Sequence, residues 1–199
     1  SSDLIYLFSL YKTWGPHLGA MYVKRELMKQ MANQSHFYYE HEPHYCLTPA
    51  SPDHAQIAAV SGVAEYLDAV YAHHFDDAPD SAVKGRRLHQ LFSDYESSLL
   101  TPLLDFLKAR NDVLIIGPDD PDIREPTVTI LPLNKRVPAV VAELEKQKLM
   151  VASGDFDVVR ILNEMNIDLD PGVIRMSLLH YTTQDEIDLL IIGLTSALK

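Results

Sequence analysis

Cysteine is almost missing from this chain: Cys46 stands alone among 199 residues. One thiol closes no intrachain disulfide framework and builds no multi-cysteine zinc or iron–sulfur site, and it fits a reducing, cytoplasmic setting. Basic charge is scarce as well. Seventeen Lys and Arg face 28 Asp and Glu, for a net charge of −11 and a pI near 5.1. Such a chain repels phosphate backbones overall, and it carries no Lys/Arg stripe, so nucleic acid is not an expected partner. Long apolar runs are lacking too. Leu4 to Leu10 is too short for a bilayer and has no basic leader, and residues 189–198 are broken by Gly193, Thr195 and Ser196. No membrane association is expected. There is also no initiating methionine: Ser1-Ser2-Asp3 leads almost at once into an apolar segment, as in a processed chain or a fragment.

What is present is ample core material, with 47% hydrophobic residues and no repeat or low-complexity tract. Residues 4–9 and 20–23 read as short strands, rich in aromatic and β-branched side chains and separated by Gly15, Pro16 and Gly19. A short helix is expected over residues 24–31, then a long, unpatterned polar and aromatic loop over 33–52. Ser51-Pro52-Asp53 reads as a helix start, with Ser51 as the cap and Pro52 in the first turn. Ile57, Val60, Ala64, Leu67 and Tyr71 then recur at helical spacing as one buried face. A second long helix starts near Ser81, and Pro102 either kinks it or opens a new one. After Asn111 short strands (113–117, 127–131, 150–152, 173–178) alternate with helices (138–148, 157–165, 184–198). The last helix opens on a capping box, Thr183-x-x-Glu186. This change of texture divides the chain into residues 1–111 and an α+β part, 112–199.

Chemistry concentrates in Ser9-Leu10-Tyr11-Lys12-Thr13-Trp14-Gly15-Pro16-His17-Leu18-Gly19. Burial of a lysine directly after an apolar strand would disfavour its charged form and favour the neutral amine that a Schiff base requires. A surface lysine before a Gly-Pro turn accounts for the same residues. Arg175 interrupts the apolar run Val173 to Leu179, where it needs an anionic partner or must reach solvent along its stem. His36, His41 and His44 with Glu40 and Glu42 lack the spacing of a metal site, so no metal is expected. Their loop, with Phe37, Tyr38, Tyr39 and Tyr45, suits a substrate pocket or an interface.

The segment from Ser9 to Tyr22 closely resembles the cofactor-lysine segment of the class V aminotransferases, within them the cysteine desulfurase-like branch. Pro49-Ala50-Ser51-Pro52-Asp53-His54, Ser153-Gly154-Asp155-Phe156 and Val173-Ile174-Arg175-Met176-Ser177-Leu178-Leu179-His180-Tyr181 resemble later landmarks of the same family, in the same order. The resemblance implies an α/β fold: the C-terminal part of a fold type I, pyridoxal 5′-phosphate-dependent transferase. Residues 1–111 would end the large cofactor domain, and 112–199 would form the small α+β domain. The residues pairing with the pyridine nitrogen and stacking on the ring would then lie upstream.

By the same resemblance, Lys12 would form the aldimine with pyridoxal 5′-phosphate and move protons at the α-carbon of an amino-acid substrate. Ser9 and Tyr11 would contact the phosphate, and Ser51 the phosphate in a neighbouring subunit of a homodimer. Arg175 would pair with the substrate carboxylate, and His17 would reach the substrate. Desulfurases carry a nucleophilic cysteine where this chain has Gly154-Asp155-Phe156-Asp157, and Cys46 does not match that position. A lyase, transaminase or epimerase reaction stays open beside desulfuration, as does a non-catalytic chain that only dimerises.

Overall fold

The computed structural model describes residues 4–199, which form two compact units divided along the chain between Lys84 and Gly85. In the first unit, β1 (Ile5–Ser9) and β2 (Gly19–Val23) form an antiparallel hairpin with Tyr6 opposite Tyr22 and Leu7 opposite Met21. Both faces of this ribbon are apolar and exposed: Leu7 is 68% accessible, and Tyr6, Phe8, Met21 and Tyr22 are also open. A short helix α1 (Arg25–Met28) follows, then a loop in which only two 3-10 turns form, at Phe37–Tyr39 and Pro43–Tyr45.

The long helix expected after residue 53 is two helices, α2 (His54–Ala59) and α3 (Ser61–His74). Its cap also differs from expectation. Asp53, not Ser51, accepts the Gln56 backbone N–H at 3.0 Å, and the Gln56 side chain returns to the same carboxylate at 2.9 Å. These hydrogen bonds hold Asp53 below the ordinary carboxylate pKa. Ser51 precedes a proline, which biases it to extended backbone and moves the helix start beyond it. Of the face from Ile57 to Tyr71, only Tyr71 is buried, while Ile57 is 49% exposed. The Tyr71 hydroxyl donates to Asp77 at 2.8 Å and its ring stacks on Phe75.

Helix α4 (Ser81–Lys108) opens at the end of the first unit and runs through Pro102 without a break. Pro102 has no N–H for the preceding turn, and the Ser98 and Thr101 hydroxyls bond to the Tyr95 and Ser97 carbonyls nearby. Leu99, Leu100, Leu103, Leu104 and Leu107, at helical spacing, supply one wall of the second unit's core. The four-stranded antiparallel sheet runs β3 (Val113–Ile116), β4 (Thr127–Pro132), β6 (Val173–Ser177), β5 (Ala152–Gly154).

Helices α5 (Val137–Lys146), α6 (Val159–Glu164) and α7 (Gln184–Ala197) complete the second unit. The capping box forms: Thr183 Oγ1 accepts the Glu186 N–H, and Glu186 accepts the Thr183 N–H at 2.7 Å. Side-chain alternation gives the sheet two buried faces. Val128, Ile130, Ile174 and Met176 join the α4, α5 and α7 leucines in the main core, whereas Val173 packs with Leu162 and Ile167 in a smaller cluster. Among the described residues, no helix is long and apolar enough to cross a membrane.

Candidate functional site

The Lys12 turn is built by its neighbours. Leu10 is buried and pins the turn by three bonds: its N–H donates to Leu18 O, and its carbonyl accepts from Gly15 N and Thr13 Oγ1, each at 2.9 Å. A side chain on Gly15 would meet that carbonyl at 2.9 Å, so the chain passes closely there. Trp14 closes the 3-10 turn Leu10–Thr13 in left-handed conformation and packs edge-on against Tyr66 of α3, centroids 5.5 Å apart. Ser9 ends β1, Lys12 follows on the turn, and Tyr11 stacks on His17 at 4.6 Å with rings nearly parallel. Four predicted residues, Ser9, Tyr11, Lys12 and His17, are thus gathered in one turn.

Lys12 is exposed, so of the two readings its position left open the surface lysine is the one found. The hairpin is open on both faces, and the turn at its end buries Leu10 while leaving Lys12 outside. No ion pair among the described residues includes Lys12, and its Nζ lies 5.8 Å from the centroid of the Tyr11 ring. Ser51 belongs to another place in the same unit, a cleft of about 350 Å³ lined by His36, Tyr39, Tyr45 and His54. Cys46 is half-buried with its Sγ 3.7 Å from the Ala32 carbonyl. Among the described residues, no group of three or more His, Cys, Asp or Glu is arranged to hold a metal ion.

Arg175 stands in the second unit, on β6 between β4 and β5 and directly opposite Thr129 and Ala152. Directly opposed residues share a face, so Arg175 lies on the sheet face away from the main core. Its Nε is buried without a hydrogen-bond partner, and no ion pair among the described residues includes it. Leaving a buried donor unsatisfied costs about 1–3 kcal/mol, more for a charged group, unless a ligand supplies the acceptor. The guanidinium carbon sits over the Phe156 ring, 4.0 Å from its centroid. That contact escaped the sequence reading, because Phe156 and Arg175 are far apart in the chain and meet only through the β5–β6 pairing. His180, just beyond β6, stacks on Phe92 at 4.1 Å, and burial lowers its pKa.

The model of the aminotransferase class-V family matches residues 87–190, more than half of the chain. The chain belongs to the class-V aminotransferases. This class-V chain is 26% identical over 196 residues to the aminotransferase-like protein FGM3 of Gibberella zeae, covering 97% of this chain and 46% of that protein. Two solved structures share its fold: the cysteine desulfurase CsdA of Escherichia coli, with TM-score 0.71 and 20% identity, and a cysteine desulfurase of Thermococcus onnurineus NA1, with TM-score 0.72 and 15% identity. The alignments cover 98% and 97% of this chain and 46% of each of those chains. The expected α/β fold is therefore present, and the chain spans about half the length of the relatives it matches. The match includes Arg175 and Phe156, while Lys12 lies outside residues 87–190.

Proposed function

We propose that this chain is part of a pyridoxal 5′-phosphate-dependent enzyme acting on an amino acid. The observation that carries the proposal is the buried, unpartnered Nε of Arg175 within a class-V aminotransferase sheet. A planar guanidinium with a free donor suits a substrate carboxylate. The other donors fit the cofactor by their chemistry: a primary amine at Lys12 for an aldehyde, and hydroxyls at Ser9, Tyr11 and Ser51 for phosphate oxygens. When bound, pyridoxal phosphate supplies an electron sink for the bond broken at the substrate's α-carbon. Lys12, as a free amine, takes or returns the proton at that carbon. Arg175 holds the carboxylate and so fixes which bond is presented, and His17 faces the substrate from the Lys12 turn. In a homodimer, Ser51 would serve the neighbouring subunit's phosphate.

The stretch Gly154-Asp155-Phe156-Asp157 offers no thiol to carry sulfur as a persulfide. That favours a transaminase, lyase or epimerase reaction over desulfuration through a cysteine. The test is the absorbance of the purified chain with added pyridoxal phosphate. A band at the visible edge that disappears in Lys12→Ala is the expected result. A spectrum unchanged by that substitution overturns the cofactor assignment and leaves the non-catalytic, dimerising reading.

A further inference from the structure

We infer that Phe156 is a positioning residue for Arg175: its ring holds the guanidinium by one face and leaves the edge free for a carboxylate. The second clause rests on the proposed carboxylate role of Arg175; the first stands on geometry alone.

Arg175 has the surroundings of a charged group that is restrained but not neutralised. Its neighbours across the sheet are Thr129 and the small Ala152, neither of which carries a charge. The Nε is buried without an acceptor, and the guanidinium carbon lies over the Phe156 ring at 4.0 Å. A ring face attracts a cation through its quadrupole, and more strongly where water is excluded. Unlike a carboxylate, it uses none of the guanidinium's in-plane donors. Replacing Phe156 by an acid would occupy the very edge that a substrate needs.

Phe156 is itself held. Its ring packs against the cluster of Leu162, Ile167 and Val173. Its backbone and that of Asp157 are both left-handed, with φ of 51° and 61°, a conformation unfavourable for a bulky residue. The loop is fixed in this form by Asp155, whose Oδ1 accepts the Asp157 N–H at 3.1 Å and whose carbonyl accepts the Val158 N–H at 3.0 Å. At the other side of the loop, the Gly172 backbone passes so close to Gly154 that a Cβ on Gly172 would lie 2.3 Å from the Gly154 carbonyl. An aromatic ring is thus delivered to the arginine by a strained, braced loop. Strain of that kind persists only where the surroundings over-determine it.

The test uses the full chain, labelled with ¹⁵N, and reads the Arg175 Nε–H resonance in wild type, Phe156→Leu and Phe156→Tyr. Leucine keeps apolar volume in the cluster without a ring face; tyrosine keeps the ring. In the ligand-free chain, the order parameter of Arg175 Nε–H should fall in Phe156→Leu and stay at the wild-type value in Phe156→Tyr. Titration with sodium acetate, against sodium chloride at equal ionic strength, should show binding about three- to tenfold weaker in Phe156→Leu, the cost of ordering a freed side chain on binding. Equal Nε–H order in all three chains overturns the positioning role. Phe156→Tyr also guards against misfolding: loss of order there, with the overall amide spectrum intact, overturns it equally. Absence of any acetate response in wild type refutes the carboxylate role of Arg175, while the order parameters still decide the role of the ring.

Discussion

Gly172→Ala is expected to disrupt the second unit at the point where the Phe156 loop meets the strand of Arg175. Two effects add. Gly172 has φ of +71°, and a side chain in left-handed backbone costs about 1–2 kcal/mol. The new methyl would also lie 2.3 Å from the carbonyl carbon and oxygen of Gly154 and 2.9 Å from Asp155 N. The shortest of these falls more than about 1 Å inside an ordinary contact of ~3.5 Å. All three atoms are backbone, so no rotamer change relieves the clash, and overpacking of this kind costs about 1–3 kcal/mol. Together the loss is about 3 kcal/mol, roughly 10 °C in Tm for a unit of this size. Gly154→Ala separates the two effects. Its φ is +142°, but nothing lies within 4 Å of the added Cβ, so it carries the backbone strain alone. Thermal unfolding followed by circular dichroism should rank wild type above Gly154→Ala and Gly154→Ala above Gly172→Ala. A Gly172→Ala loss below about 1 kcal/mol, or no greater than that of Gly154→Ala, would refute the close backbone approach that braces the loop.

Two pH-dependent predictions follow from carboxylates of the second unit. Asp112, only 16% exposed, accepts from Arg110 Nε at 2.8 Å and from Nη2, and these bonds hold its pKa below the ordinary value. A lowered folded-state pKa stabilises above the unfolded value of about 3.9 and stops doing so as pH falls through the folded value. Asp112→Asn should therefore lower the urea midpoint at pH 7, by about 1 kcal/mol of stability, with the gap to wild type closing at strongly acidic pH. Glu96 is the reverse case: burial and the nearby Glu125 raise its pKa, against the His180 backbone N–H that it accepts. The folded chain then keeps the proton longer than the unfolded one, so stability falls as pH rises above about 4.3. Glu96→Gln should stabilise the chain at pH 7 by about 0.5 kcal/mol and lose that advantage below pH ~4, read as Tm at the two pH values.

Local patterns were readable wherever a buried surface or a cap enforces them. The alternation Thr127–Pro132, the Thr183/Glu186 capping box and the leucines of α4 each carry their structure in their spacing. The helix after residue 53 was less legible because Ser51 and Asp53 are competing caps, and the proline between them decides in favour of the second. The apolar stripe from Ile57 to Tyr71 suggested burial, yet helical spacing reports a face and not what covers it; here only Tyr71 is covered. Lys12 raises the same point: the apolar strand before it left both an enclosed and a surface amine open, and the strand is exposed on both sides. The contact of Phe156 with Arg175 had no local signature, for it depends on a strand pairing between distant segments. Both residues stood in recognisable motifs, but nothing in either motif states that one ring lies against the other's guanidinium.

The central claim is that Lys12 is the residue that takes the cofactor. The direct measurement is borohydride reduction of the chain with stoichiometric pyridoxal phosphate, followed by peptide mapping. A reduced adduct concentrated on the peptide carrying Lys12, and absent from Lys12→Ala, is the predicted result. Modification spread over the other surface lysines, and equal in Lys12→Ala, would contradict it.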